Sequence, residues 1–174
     1  SVKIGKTPPR KESEWFSKES GIKWASIKDM GNAGVYIIET SEYLTNEAIL
    51  RFNIKKIPRN TVILSFKLTI GRVSITSEEM SSNEAIAQFS LNEPSKVTSE
   101  FLYCYLKMFN YSLLGSTSSI ATAINSKIVR TIPVLIDDTV MHRFHSLVEP
   151  LFKKINGVQD EIQTLQKTRA TLLP

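Results

Sequence analysis

Phe144, Val148, Leu151, Ile155, Val158, Ile162, Leu165 and Leu172 keep alternating steps of four and three, and only Arg169 interrupts the apolar series. This strict spacing is the seam of a coiled coil; a helix packed on its own domain shows a broader stripe near period 3.6. Asp137 and Asp138 stand where a helix N-terminus favours carboxylates. Inside the run, Pro150 removes a backbone hydrogen bond, which predicts a kink or a fresh start. Gly157 costs about 1 kcal/mol relative to Ala. The frame continues through both, and its eight apolar residues are the expected dimerisation contacts.

Upstream the pattern changes to short runs rich in Val, Ile, Phe and Thr. "VYIIE", "ILRFNI", "TVILSF" and "LTIGRVSI" read as strands, with a turn at Pro58-Arg59-Asn60. Gly71 within the last run reads as a bulge or a close backbone approach. "SSNEAIAQFSLNEP" reads as a further strand. "TSEFLYCYLKMFNYSLL" reads as a helix with Phe101, Leu102, Tyr105, Leu106 and Phe109 on one face, capped by Thr98 or Ser99 and ended by Gly115. A small-residue loop, a helical turn in "SKIVRT" and a strand in "IPVLI" follow. The first 30 residues are polar and loop-rich, with Trp15 and Trp24 as anchors to a core. The expected fold is α+β: a globular mixed α/β domain over residues 1–136, then a long C-terminal coiled-coil helix over 137–174.

Composition adds little until charge is considered. The chain has 174 residues, 41% hydrophobic and 22% charged, which suits one domain with an appendage. No apolar run is long enough to span a bilayer, and no charged-then-apolar N-terminal pattern marks a signal peptide. A single cysteine, Cys104, excludes an internal disulfide framework and fits a reducing cytoplasm. The net charge of +5 is uneven. Residues 1–75 carry 13 Lys/Arg against 7 Asp/Glu, and residues 76–174 carry 9 against 10. A basic half points to an anionic partner, nucleic acid being the commonest; a solvated basic surface gives the same count.

Catalytic motifs are missing. The seven glycines are scattered, so no phosphate-cradling loop forms. "GSTSS" lacks the second glycine of a nucleophile elbow. His142 and His145 share a helix face, but no cysteine or acidic cluster completes a metal site. No Asp or Glu is followed two residues later by Lys. The chain reads as non-catalytic, with no cofactor and no metal.

Six segments in order resemble the specificity subunits of type I restriction–modification systems. They are "IGKTP", "GIKWASIKDM", "KIPRNTVILSFKLTIGRVSI", "SSNEAIAQF", "GSTSSIATAINSKIVRTIPVLI" and the heptad helix ending "TLQKTRATLLP". The chain departs at Glu84, where Gln is usual, and at "LIDDTVMHRF" before the helix. The resemblance implies a target-recognition domain that reads double-stranded DNA for partner methyltransferase and restriction subunits. Family members carry two such domains, each with a long helix, and the helices pair antiparallel. One domain and one helix therefore imply half a subunit, working as a homodimer or excised from a longer chain. From Phe144 to Leu172 the helix spans roughly 43 Å at about 1.5 Å per residue. That is a ruler of on the order of 12–13 base pairs between two half-sites of a bipartite target.

Within a DNA-reading head, cations hold phosphates and polar side chains read base edges. The positioning candidates are Lys6, Arg10, Lys11, Lys23 and Lys28. The base-contact candidates are Lys67, Thr69 and Arg72, with Ser116, Thr117, Ser118, Thr122, Asn125 and Lys127; an ordinary loop or a helix cap at Ser126 accounts for the second group equally well. The alternative for the whole chain is a coiled-coil interaction module that binds no DNA.

Overall fold

The computed structural model describes residues 1–91, 97–114 and 124–173. The fold is α+β, with two sheets and a long C-terminal helix. The strands are β1 (Val2–Ile4), β2 (Phe16–Ser17), β3 (Ile22–Ala25), β4 (Tyr36–Ile37), β5 (Tyr43–Leu44), β6 (Val62–Ser65), β7 (Val73–Thr76), β8 (Ser81–Ser82) and β9 (Ile86–Phe89). The helices are α1 (Ile27–Asn32), α2 (Asn46–Arg51), α3 (Ser99–Met108), α4 (Ser126–Val129) and α5 (Asp138–Leu172). The main sheet runs β1-β9-β6-β7-β4; β4 lies parallel to β7 and the other pairs are antiparallel. The smaller sheet runs β2-β5-β3-β8.

The continuous apolar run "TVILSF" has a direct cause: the main sheet is covered on both faces. Val62, Leu64 and Phe66 face a core shared with Leu102 and Leu106 of α3 and Phe152 of α5. Ile63 points the other way, into a cluster with Ala25, Met30, Ile57 and Met80. A third cluster gathers Trp15, Trp24, Leu44 and Ile49 under the N-terminal segment. Both tryptophans anchor the basic first segment, as expected, and their ring N–H groups are satisfied. Trp15 donates to Glu12 at 2.6 Å and Trp24 to the Lys6 carbonyl at 3.2 Å.

Local chemistry decides where the elements differ from the sequence pattern. "ILRFNI" is not a strand; its first half ends α2. The Thr45 hydroxyl accepts from Ala48 N, and Asn53 turns the chain out of the helix at φ +47°, so capping outweighs the β-branched composition. "IPVLI" pairs with no strand; Ile132 and Val134 pack on the core instead. The α3 helix has the expected Thr98 cap but ends at Met108 rather than Gly115, and a 3-10 turn follows over Tyr111–Leu114. Pro150 neither stops nor restarts α5, which runs unbroken from its Asp137 cap.

Candidate nucleic-acid interface

The β6–β7 hairpin presents an exposed loop with both cationic and apolar side chains. Its base is knotted by Ser65, which is fully buried. The Ser65 hydroxyl donates to the Thr69 carbonyl at 2.6 Å and accepts from Arg72 N at 3.1 Å. Gly71 N donates to the Ser65 carbonyl, and Gly71 takes φ +86°. This closes the loop so that Lys67, Leu68, Thr69 and Ile70 all face solvent. Leu68 is 97% exposed and sits at φ +59°. Left-handed backbone costs a non-glycine residue roughly 1–2 kcal/mol, and among the described residues Leu68 belongs to no hydrophobic cluster that offsets it.

Two neighbours frame this loop. The Arg72 guanidinium donates to the Ile27 carbonyl at 2.6 Å, which ties the hairpin to α1 and sets Lys28 beside it in sequence. On the other side the Tyr111 ring lies against Gly71, where a Cβ would meet it at 3.1 Å. The Tyr111 hydroxyl donates to the Leu106 carbonyl at 2.7 Å, and burial pushes its pKa upward. Gly71 is thus the close approach that the sequence pattern anticipates.

The predicted contact residues fall into three groups. Several are occupied within the fold. Lys6 donates to the Phe52 carbonyl at 2.6 Å. Arg10 lies 4.3 Å and 4.5 Å from the ring centroids of Phe16 and Trp24 and pairs with Glu42 at 2.9 Å. Lys23 binds the Ile38 carbonyl and pairs with Glu78. The Asn125 side chain caps α4 by accepting from Lys127 N and Ile128 N, a role that sequence spacing gave to Ser126. By contrast, Lys11, Lys28, Lys67 and Lys127 are exposed and have no ion-pair partner among the described residues. Ser116, Thr117, Ser118 and Thr122 lie outside the described residues.

The helix frame divides as well. Phe144 meets Phe101 edge-on at 5.5 Å, and Val148 and Ile155 pack on the head's own core. Leu151, Val158, Ile162, Leu165 and Leu172 face solvent. Sequence reasoning missed what holds the helix there. Gln159 Nε2 donates to the Tyr36 carbonyl at 3.0 Å, and its Oε1 accepts from Tyr36 N at 3.1 Å. The side-chain amide thereby pairs with edge strand β4 as another strand would. One turn on, Gln163 donates to Glu39 at 2.7 Å, and Lys167 lies 3.2 Å from the same carboxylate. The only sequence signal was polar residues recurring every four positions beside the apolar seam. Glu84, which departs from the resembled pattern, accepts the Thr7 hydroxyl. Among the described residues no group of three His, Cys, Asp or Glu could hold a metal.

The family model for the type I restriction modification DNA specificity domain matches residues 2–136. The chain belongs to this family. It is 27% identical to the type I restriction enzyme MjaIX specificity subunit of Methanocaldococcus jannaschii over 99% of the chain and 40% of that protein. It is 27% identical to the HindI specificity subunit of Haemophilus influenzae over 98% of the chain and 37% of that protein. The chain thus spans about two fifths of the length of these relatives. The HsdS subunit from Thermoanaerobacter tengcongensis superposes with a TM-score of 0.63 at 13% identity, over 92% of the chain and 37% of that structure. A structure from a study of type I R-M complex assembly gives 0.64 at 13% identity, over 98% and 40%. At that identity both show the fold alone. No described helix of this specificity domain is long and apolar enough to cross a membrane.

Proposed function

We propose that this chain is one DNA-reading half of a type I specificity subunit, itself non-catalytic, which directs methyltransferase and restriction subunits to a bipartite duplex site. Residues 1–136 form the reading head and 137–174 the spacer. The observation that carries the reading is the β6–β7 hairpin in a chain of this family: a knotted loop that holds Lys67, Leu68 and Thr69 in solvent and is tied through Arg72 to Ile27, next in sequence to Lys28, which has no ion-pair partner among the described residues. Lys11, Lys28, Lys67 and Lys127 neutralise phosphates, and the hairpin tip enters a groove. Lys6, Arg10, Lys23, Arg72 and Asn125 shape the head from within. The exposed stripe of α5 pairs with a second long helix and separates two heads. Two identical heads paired antiparallel read an inverted repeat, because the symmetry of the protein is mirrored in the site.

Selection from a random duplex pool by the purified chain tests this reading. The expected product is an inverted repeat with a fixed gap, bound with a steep salt dependence. No enrichment at low salt, with or without methyltransferase subunits present, overturns it.

A further inference from the structure

The β6–β7 hairpin passes from core to water within two residues. Phe66 is 1% exposed, with its N–H donating to the Ala85 carbonyl at 3.0 Å, and Leu68 is 97% exposed. A solvent-facing leucine is ordinary by itself; one held at φ +59° is not. The loop that holds it is pinned from several sides. Ser65 N donates to the Arg72 carbonyl at 2.9 Å, in addition to the two contacts of the Ser65 hydroxyl. Arg72 straps the hairpin to α1, and Gly31 makes room for the strap: a Cβ there would meet the Arg72 Nη1 at 2.3 Å. The Tyr111 ring backs Gly71, and the Phe109 ring braces it at 5.3 Å.

The surroundings of the tip favour a polyanion. From Lys67 to Arg72 the loop carries two cations and no acidic residue. Neither cation has an ion-pair partner among the described residues. Arg72 donates to a carbonyl, which leaves its charge unneutralised. The loop is poorly equipped to read base edges, however. The Arg72 guanidinium is engaged at Ile27, and the Leu68 side chain has neither donor nor acceptor. An apolar side chain among cations can act on a duplex in two ways. It can touch a thymine methyl, or it can enter between base pairs and unstack a step. Entry has to overcome stacking, and a flexible loop would deflect and leave the stack closed. The pinned base and the fixed backbone of the tip favour entry. Ile70, 42% exposed, adds a second apolar side chain to the same loop.

We infer that Leu68 is a wedge that enters between two base pairs of the target duplex and kinks it. The inference rests on the DNA-reading role given to the head above. It makes Leu68 a specificity-determining residue that works without a hydrogen bond. The step it opens is a pyrimidine–purine step, TA or CA/TG, because these are the steps most easily kinked or unstacked. Part of the target is thereby read through its deformability.

The test uses the full chain and the duplex enriched by selection, carried in about 40 base pairs, far below the persistence length of roughly 150. Energy transfer between dyes at the two ends reports a kink. 2-Aminopurine placed in turn at each adenine reports unstacking as a rise in fluorescence. The native chain should kink the duplex by an angle on the order of 20–90° and brighten 2-aminopurine at one pyrimidine–purine step in each half-site. Leu68→Asn leaves a residue that tolerates left-handed backbone, so the loop keeps its shape. It should abolish both signals and weaken binding several-fold. Leu68→Met should restore most of the kink, because apolar bulk drives entry. Changing the step to the stiffer AA should cost the native chain about tenfold in affinity and the Leu68→Asn variant little. A duplex that stays straight, a kink that survives Leu68→Asn, or an equal loss at the changed step in both chains overturns the wedge and leaves DNA reading standing. Affinity lost on replacing thymine by uracil, with no kink, overturns it in favour of a methyl contact. Failure to enrich any duplex overturns the reading and the wedge together.

Discussion

The two halves of α5 carry the same four-three apolar spacing and meet different fates. In the first half Val148, Phe152 and Ile155 face the head, and Phe152 is only 7% exposed. In the second half Val158, Ile162 and Leu165 face solvent, while Gln159, Gln163 and Lys167 face the head. The docked face thus changes from apolar to polar within two turns, and the apolar stripe continues on the outer side. Heptad spacing therefore marks a helix with two faces here: one docked on its own domain, and an open apolar stripe above. What separates the two surfaces is the amide and carboxylate contacts, which apolar spacing does not record.

The largest test of this division sets adjacent residues against each other. Phe152→Ala should cost about 3–5 kcal/mol in chemical denaturation, because it opens a cavity against Tyr103 and the main core. Leu151→Ala, at a site 59% exposed, should stay within about 0.5 kcal/mol. Equal losses would mean that the helix sits in a different rotation. Next comes the strand-edge clamp. Gln159→Ala leaves the Tyr36 N–H and carbonyl to solvent and should cost about 1–2 kcal/mol. Gln163→Ala removes only an exposed contact to Glu39 and should cost little. Hydrogen exchange at the Tyr36 amide should rise in the first variant and stay unchanged in the second.

How much of this was legible beforehand follows the same division. The strands β4, β6, β7 and β9, the α3 cap at Thr98 and the α5 start at Asp137 were readable because each depends on near neighbours in sequence, whereas β1, which pairs Val2 with Phe89, lies in a segment that reads as loop. The strand assigned to "ILRFNI" failed because β-branched composition was weighed without the Thr45 cap that precedes it. Among the candidate contacts, charge alone could not separate Lys28 and Lys67, which have no ion-pair partner among the described residues, from Lys6, Arg10 and Lys23. The partners of the latter three are Phe52, Glu42 and Glu78, each dozens of residues away. Leu68 was invisible for another reason: its importance lies in a backbone angle, and an exposed leucine in a sequence looks like any other.

Leu68 also offers a prediction with opposite signs. Leu68→Gly relieves a left-handed leucine and should stabilise the fold by about 1 kcal/mol. If the hairpin enters a DNA groove, the same change should weaken duplex binding several-fold while the salt slope, set by Lys28 and Lys67, is unchanged. A gain in stability with no loss of binding would remove the hairpin tip from the interface.

The smallest effect sharpens the outer face. Gly157→Ala places a methyl where nothing lies within 4 Å, so in the isolated monomer it should add roughly 0.5–1 kcal/mol through helix propensity alone. The measurement is urea unfolding below the dimer dissociation range, repeated well above it. A gain present in dilute solution and lost or reversed in concentrated solution would mean that a second backbone packs against this position. An equal gain at both concentrations would mean that Gly157 stays in water whatever the helix pairs with. The apolar stripe would then be covered from the side of Leu151 and Leu165 without close contact at Gly157.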